Sequence, residues 1–331
     1  MQPSAITSWA LLIWRALESS GCDPRSLFDQ AGLDPKKLHD PNARYPVAGL
    51  TKLWRLAVRT TADPAIGLKA ARFLAPTTLH ALGYSWMASE TLKEALDRGV
   101  RYYRIVSSGI EATLEEDTDV YRFIITVPEI PPVADEAIDA GMAIIVLACR
   151  RSYGKDFSPL RVTLQRKPPP DREVYDQLFR APLEFAAREN ALLFDKIKVN
   201  TPLSTANAEL ARANDRVIRD YLARFDRGSV KLHVEAKLVE QLSSGRVTQA
   251  SIARALNLSS RTLQRKLKEE GTTYKELLDD TRRELASQYV KQSHLSVNEI
   301  TFLLGFSEPA NFSRAFKRWT GVSPSEYRLS A

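Results

Sequence analysis

Apolar positions in the first hundred residues recur at three- and four-residue steps. Ile6, Leu11, Leu12 and Leu17 share one face, and Leu50, Leu53, Trp54, Leu56 and Ala57 share another, so the spacing predicts amphipathic helices. Asp63-Pro64 and Ala75-Pro76 punctuate them, and a further helix is predicted over 91–106. The period then shortens to two. Residues 110–114 and 120–127 read as strands joined by an acidic turn from Glu115 to Asp119, with Pro128, Pro131 and Pro132 closing the unit. Residues 135–153 form the most apolar helix. A strand over 161–165, a stiff Lys167-Pro168-Pro169-Pro170 loop and a short helix at 174–179 come next. Extended pieces at 183–185 and 191–194 complete a small, mostly antiparallel sheet. The pattern predicts an α+β domain over 1–226.

A long helix is predicted from Asn207 to the end of the stretch 207–225. Leu210, Val217, Ile218, Tyr221, Leu222 and Phe225 share one side, and such a stripe has to be covered. It either packs on its own domain or joins two copies into a homodimer. Residues 227–230, within Asp226-Arg227-Gly228-Ser229-Val230, read as a linker. Residues 231–331 are helical throughout, broken at regular points.

Two of those breaks share one pattern. In the first, over about 248–270, Ile252, Ala253, Leu256 and Leu258 are apolar at helical spacing. Asn257 stands where the helix must stop, and Asn tolerates a left-handed backbone. Ser259 then offers an N-cap oxygen. In the following helix Leu263 and Leu267 face inward, which leaves Ser260, Arg261, Gln264, Arg265 and Lys268 outside. In the second break, over about 296–319, Ser296 and Glu299 form a capping box. Ile300, Leu303 and Leu304 point inward, Gly305 makes the turn, Ser307 is the expected cap and Pro309 lies in the first turn. Phe312, Phe316 and Trp319 are core, which leaves Asn311, Arg314, Lys317 and Arg318 outside. A helix over about 274–292, with Leu277, Thr281 and Leu285 on one side, spaces the two motifs.

Tandem helix-turn-helix motifs with basic second helices predict an all-α domain that binds double-stranded DNA. Arginine can bond guanine O6 and N7, and Gln or Asn can bond adenine N6 and N7. Arg261, Gln264, Arg265, Asn311 and Arg314 are therefore expected at bases. Lys268, Lys317 and Arg318 are expected at phosphates. The rigid spacer would set two recognition helices about one DNA turn apart, near 34 Å.

Charge agrees with this division. Of the net +7, residues 230–331 hold +5. Cys22 and Cys149 are too few for a disulfide framework, and no histidine pair has metal-ligand spacing. No cofactor motif is present: no G-x-S-x-G, H-E-x-x-H, P-loop or glycine-rich dinucleotide turn occurs. The longest apolar run is too short to span a membrane, and the N-terminal helix has no basic region before it. A cytoplasmic location is expected. Trp54, Tyr84, Trp86, Tyr102 and Tyr103 either line a pocket or form core.

The stretch GFSEPANFSRAFKRWTGVSPSEYR, residues 305–328, resembles a signature of the AraC/XylS family of bacterial transcription regulators. The resemblance extends over about 231–328. It implies seven helices, two recognition helices and a linker helix, with base-contacting positions on Arg261, Gln264 and Arg265 and on Ala310, Asn311 and Arg314. Ala310 offers only a methyl, suited to thymine. Thr301 stands where the pattern often has Ala, which implies slightly looser packing. The runs over 82–107 and 179–210 resemble the arabinose-binding-type N-terminal domain of the ornithine-utilisation-regulator subgroup, which is not a cupin barrel. The resemblance implies a dimeric regulator with a small-molecule effector in the N-terminal domain, and with RNA polymerase as a partner if it activates. An effector-independent regulator, controlled by abundance or a partner protein, fits the same residues. Some members also carry DNA-repair alkyl transfer, for which Cys149 beside Arg150 and Arg151 is the thiol to examine.

Overall fold

The computed structural model describes residues 2–128, 132–225, 229–242, 247–291 and 295–330. The chain divides into two compact units, residues 1–218 and 219–331. Of the linker expected at 227–230, residues 227 and 228 lie outside the described residues, as does Gln292 at the end of the expected spacer.

The first unit opens with β1 (Ser4–Ile6), α1 (Thr7–Ser19), α2 (Pro24–Ala31), β2 (Arg44–Pro46), α3 (Val47–Thr61) and α4 (Ile66–Ala71). It continues with α5 (Ala81–Met87), α6 (Leu92–Val106), β3 (Glu111–Glu116), β4 (Val120–Thr126) and α7 (Asp135–Tyr153). β5 (Arg161–Leu164), α8 (Glu173–Phe179), β6 (Leu183–Phe185), β7 (Asn190–Asp195) and α9 (Lys196–Asn200) follow, and the division between the units falls within α10 (Ala208–Phe225). Among the described residues the main sheet has the order β3-β4-β7-β5-β6. It is antiparallel except for the β5–β6 pair. The α+β expectation holds.

Three local readings change. Glu115 and Glu116 belong to β3, not to the turn. Glu115 pairs with Arg122 across the hairpin, and the Arg122 guanidinium reaches it at 3.1 Å. The two-stranded β1–β2 ribbon was not legible, because each strand is three residues long. Arg44 holds it, donating to the Ser4 carbonyl at 2.8 Å and the Ile105 carbonyl at 2.7 Å. The α10 stripe is split: Ile218, Tyr221 and Leu222 are buried, whereas Leu210 and Val217 are 49% and 46% exposed. At 3.6 residues per turn those two sit at the edge of the stripe, away from the buried side.

The buried faces meet on α7, where Ala140, Met142, Ala143, Val146 and Cys149 are sealed. A helix apolar nearly all round has to be central. Trp54, Trp86, Tyr102 and Tyr103 are core, while Tyr84 is exposed. Burial pushes the Cys149 thiol up, against the pull of Arg150. Arg150 itself donates to the carbonyls of Phe157, Leu178 and Phe179 at 2.6–3.0 Å. That thiol is not an activated nucleophile.

Two buried ion pairs tie the helices. Asp215 on α10 accepts from Arg98 at 3.1 Å and from the Ser85 hydroxyl. Asp139 on α7 accepts from Arg166 and from the Tyr175 hydroxyl. Burial outweighs both donors and pushes the Asp139 carboxyl up to about 7. The unfolded value is about 3.9, so between those limits the folded chain binds the proton more tightly. Stability of the first unit is therefore expected to rise as pH falls from about 7 toward 4, by at most about 1.4 kcal/mol per pH unit from this group. Urea midpoints of wild type and Asp139→Asn across this range check it. The variant's curve should be flatter, and an equal slope would contradict the assignment.

In the second unit, α11 (Val230–Gln241), α12 (Gln249–Ala255), α13 (Ser260–Glu269), α14 (Tyr274–Val290), α15 (Val297–Leu303), α16 (Pro309–Thr320) and α17 (Pro324–Ser330) are the helices that follow α10 among the described residues. Two apolar clusters form. The first gathers Val234, Leu238, Ile252, Leu263, Leu267 and Leu277, and the second gathers Leu285, Val290, Ile300, Leu304, Phe312 and Phe316. α14 supplies Leu277 to one and Leu285 to the other. It is therefore the beam shared by the two small cores.

Candidate nucleic-acid interface

α12 begins with a capping box in which Thr248 and Ser251 satisfy each other's backbone N–H, at 2.9 and 3.1 Å. It ends at a left-handed Asn257, φ +56°, as the sequence pattern requires. The Leu258 N–H then returns to the Ala253 carbonyl at 2.8 Å. Ser259 caps α13, accepting from the Thr262 N–H at 3.1 Å. Burial of Leu263 and Leu267 fixes the rotation of α13. The opposite face, with Ser260, Arg261, Gln264, Arg265 and Lys268, is exposed. Among the described residues the side chains of Arg261, Gln264 and Lys268 have no hydrogen-bond partner. Arg265 donates to Glu269 at 2.6 Å.

The second motif repeats the plan. Ser296 and Glu299 form the expected box, with the Ser296 N–H donating to the Glu299 carboxylate at 2.8 Å. Gly305 turns the chain at φ +66°, and a Cβ there would lie 3.0 Å from the Leu242 carbonyl. Ser307 does not cap α16. The N-cap is Glu308, without a side-chain bond, because Pro309 occupies the first helical position and shifts the start by one residue. Phe312 and Phe316 are fully buried and Trp319 packs at the cluster's edge. Leu303 is only half-buried. Thr301 does not loosen the core: its buried hydroxyl donates to the Val297 carbonyl at 2.7 Å.

Ala310, Arg314, Lys317 and Arg318 are exposed and Asn311 is half-exposed on the outer side of α16. Arg314 donates to the Asn311 side-chain oxygen at 2.7 Å. Arg318 donates to Asp279 on α14 at 3.0 Å. Lys317 is near Glu326, whose carboxyl is held below its ordinary range chiefly by the Ser323 bonds and in smaller part by Lys317. Each predicted residue thus falls on the outer side of its second helix. In chemical terms these are two short, exposed, cationic ridges, each carrying an amide and a guanidinium.

Three positioning residues escaped the sequence reading. Arg282 on α14 donates to the carbonyls of Leu304 and Gly305 at 2.9 and 2.7 Å, and its guanidinium lies 4.2 Å from the Phe306 ring centroid. Glu270 accepts from the N–H groups of Val230 and Lys231 and from the Ser229 hydroxyl, anchoring the start of α11. Arg328 on α17 donates to the carbonyls of Val290 and Leu295, both at 2.8 Å. Their partners lie more than twenty residues away in sequence. The one local hint is Gly305, whose turn leaves carbonyls in need of a donor.

Comparison with known proteins yields two family matches. Residues 21–203 match the family described as the arabinose-binding domain of AraC transcription regulators, N-terminal, and residues 252–330 match a helix-turn-helix domain family. The ornithine utilization regulator of Pseudomonas aeruginosa is 30% identical over 312 residues, 93% of this chain and 91% of that protein. The HTH-type transcriptional regulator Rv1395 of Mycobacterium tuberculosis is 29% identical over 308 residues, 89% of this chain and 88% of its own length. Among solved structures, the transcriptional regulator CdpR from Pseudomonas aeruginosa aligns over 96% of this chain and 98% of its own, with 22% identity and a TM-score of 0.47.

Proposed function

The chain belongs to the AraC family of DNA-binding transcription regulators, and from that premise we propose that one subunit reads two successive major grooves, with α13 in one and α16 in the other. The observation that carries this reading is the matched geometry of the two helices. Each buries an apolar side in its own core and leaves a basic, amide-bearing side outside. Arg261, Gln264 and Arg265, with Asn311 and Arg314, supply base contacts, and Ala310 supplies apolar contact to a thymine methyl. Ser260, Lys268, Lys317 and Arg318 hold phosphates.

The functional unit is a homodimer reading two half-sites, controlled by a small molecule held in the first unit. The exposed Leu210 and Val217 on α10 support an association surface there. The chain itself performs no catalysis. The sealed Cys149 is out of reach of an alkyl donor, which speaks against alkyl transfer at that thiol.

Selection of bound fragments from random DNA by the full chain tests the proposal. One enriched motif, competed poorly by random duplex at physiological salt, is the expected result. Equal recovery of all sequences would overturn it. Lys317→Ala is expected to weaken every sequence alike and to reduce the slope of log affinity against log salt by about 1. A loss confined to particular sequences would contradict a phosphate role.

A further inference from the structure

The first unit contains an open cleft of about 710 Å³ between α3 and the start of α7. That volume is in the range of small-molecule sites, roughly 300–1,000 Å³. Lys52, Arg55 and Arg59 line it from α3, and Glu136 lines it from the first turn of α7. Among the described residues none of the three cations has an ion-pair partner within bonding distance. Glu136 is within electrostatic reach of Arg55, yet burial still holds its carboxyl above the ordinary range. The lining therefore carries two positive charges more than it neutralises.

The walls are fixed. The Thr51 hydroxyl donates to the Pro132 carbonyl at 3.0 Å, pinning the entry to α7 against α3. Gly67 on α4 packs directly on the Glu136 backbone, where a Cβ would collide with the carbonyl. Behind this wall, the buried Asp139 Oδ1 and Arg166 Nε have no hydrogen-bond partner among the described residues. Arg166 also acts electrostatically on Glu136. The cations thus face a held surface rather than a loose one.

We infer that this cleft binds a small organic dianion of the dicarboxylate class. Positions 52, 55 and 59 lie on one face of α3, and 55 to 59 is about one turn, near 6 Å of rise. That spacing suits the two carboxylates of a four- or five-carbon diacid, each met by a guanidinium in a forked contact. Ala48, Val58 and Pro132 supply apolar surface for the carbon chain. A bare inorganic anion would leave most of the volume unfilled.

That such a ligand acts as effector rests on the regulator reading above; its binding does not. The test is calorimetric titration of the full chain with glutarate, with uncharged glutaramide and with inorganic phosphate, alongside DNA affinity measured with and without glutarate. Glutarate is expected to bind saturably and at least about tenfold more tightly than glutaramide or phosphate. Arg55→Gln and Arg59→Gln are each expected to weaken it by about tenfold or more, with unchanged circular dichroism. No glutarate binding up to about 10 mM, equal binding of phosphate, or wild-type glutarate affinity in both variants would each overturn the inference. Intact DNA binding without glutarate binding removes this inference alone. Glutarate binding without DNA binding removes the regulator reading alone.

Discussion

Arg282→Ala is expected to destabilise the second helix-turn-helix by about 2–4 kcal/mol. The side chain leaves α14 and satisfies two carbonyls at the Gly305 turn, at 2.9 and 2.7 Å, while lying over Phe306. Burial holds the Arg282 pKa below the ordinary guanidinium value, so its charge is already partly desolvated. Alanine removes two charge-assisted hydrogen bonds and a cation–π contact, and leaves two turn carbonyls without their donor. Arg282→Lys retains the charge but not the fork, so it should fall between wild type and alanine. Urea unfolding, with amide exchange over α15 and α16, measures the effect. Faster exchange confined to the second motif is the expected signature. An unmoved midpoint would show that the turn holds itself. Because the Arg282 bonds and ring contact all lie at the Gly305 turn, the first motif should keep its protection.

Joint replacement of Arg265 and Arg314 by alanine has the largest expected effect on DNA binding. Each bidentate base contact contributes about 1–3 kcal/mol. The two residues sit on different helices that pack into different cores, so their losses should nearly add, to about 2–6 kcal/mol. That corresponds to a fall of roughly thirtyfold to twenty-thousandfold for each half-site of the selected DNA. Folding should be unaffected, since the Arg265 pair with Glu269 is surface-exposed and such pairs contribute about 0–1 kcal/mol. Gel-shift titration of the selected site against random duplex reads both affinity and preference. A double variant within about threefold of wild type would remove both arginines from the base-reading set. A destabilised double variant would assign them to the fold instead.

The parts of this molecule that were legible in the sequence are those written locally. The Ser296–Glu299 box, left-handed Asn257 and the Gly305 turn each involve residues within a few positions, and all three stand in the structure. Helical period placed Arg261, Gln264, Arg265 and Lys268 on the outer side of α13, and Asn311, Arg314, Lys317 and Arg318 on the outer side of α16. The failures have physical causes of two kinds. At Ser307 two local signals competed, and the proline at the first helical position prevailed over the better capping side chain. Elsewhere the information was long-range. Glu270 meets Val230 across 40 positions, and Asp215 meets Arg98 across 117. Nothing near either residue distinguishes it from a solvated surface charge. The α10 stripe was too wide for the same reason, because which part of a face is covered depends on neighbours the period does not encode. The cleft beside α3 was invisible, since its cations read as the polar side of an ordinary amphipathic helix.

The most direct measurement is methylation interference on the selected DNA site with wild-type protein, Arg265→Ala and Arg314→Ala. Wild type is expected to give two major-groove contacts per half-site, centred about one helical turn apart, or about 10 base pairs. Arg265→Ala should erase one of them and Arg314→Ala the other. A single contact per half-site, or a pattern that neither variant changes, would contradict the two-groove reading.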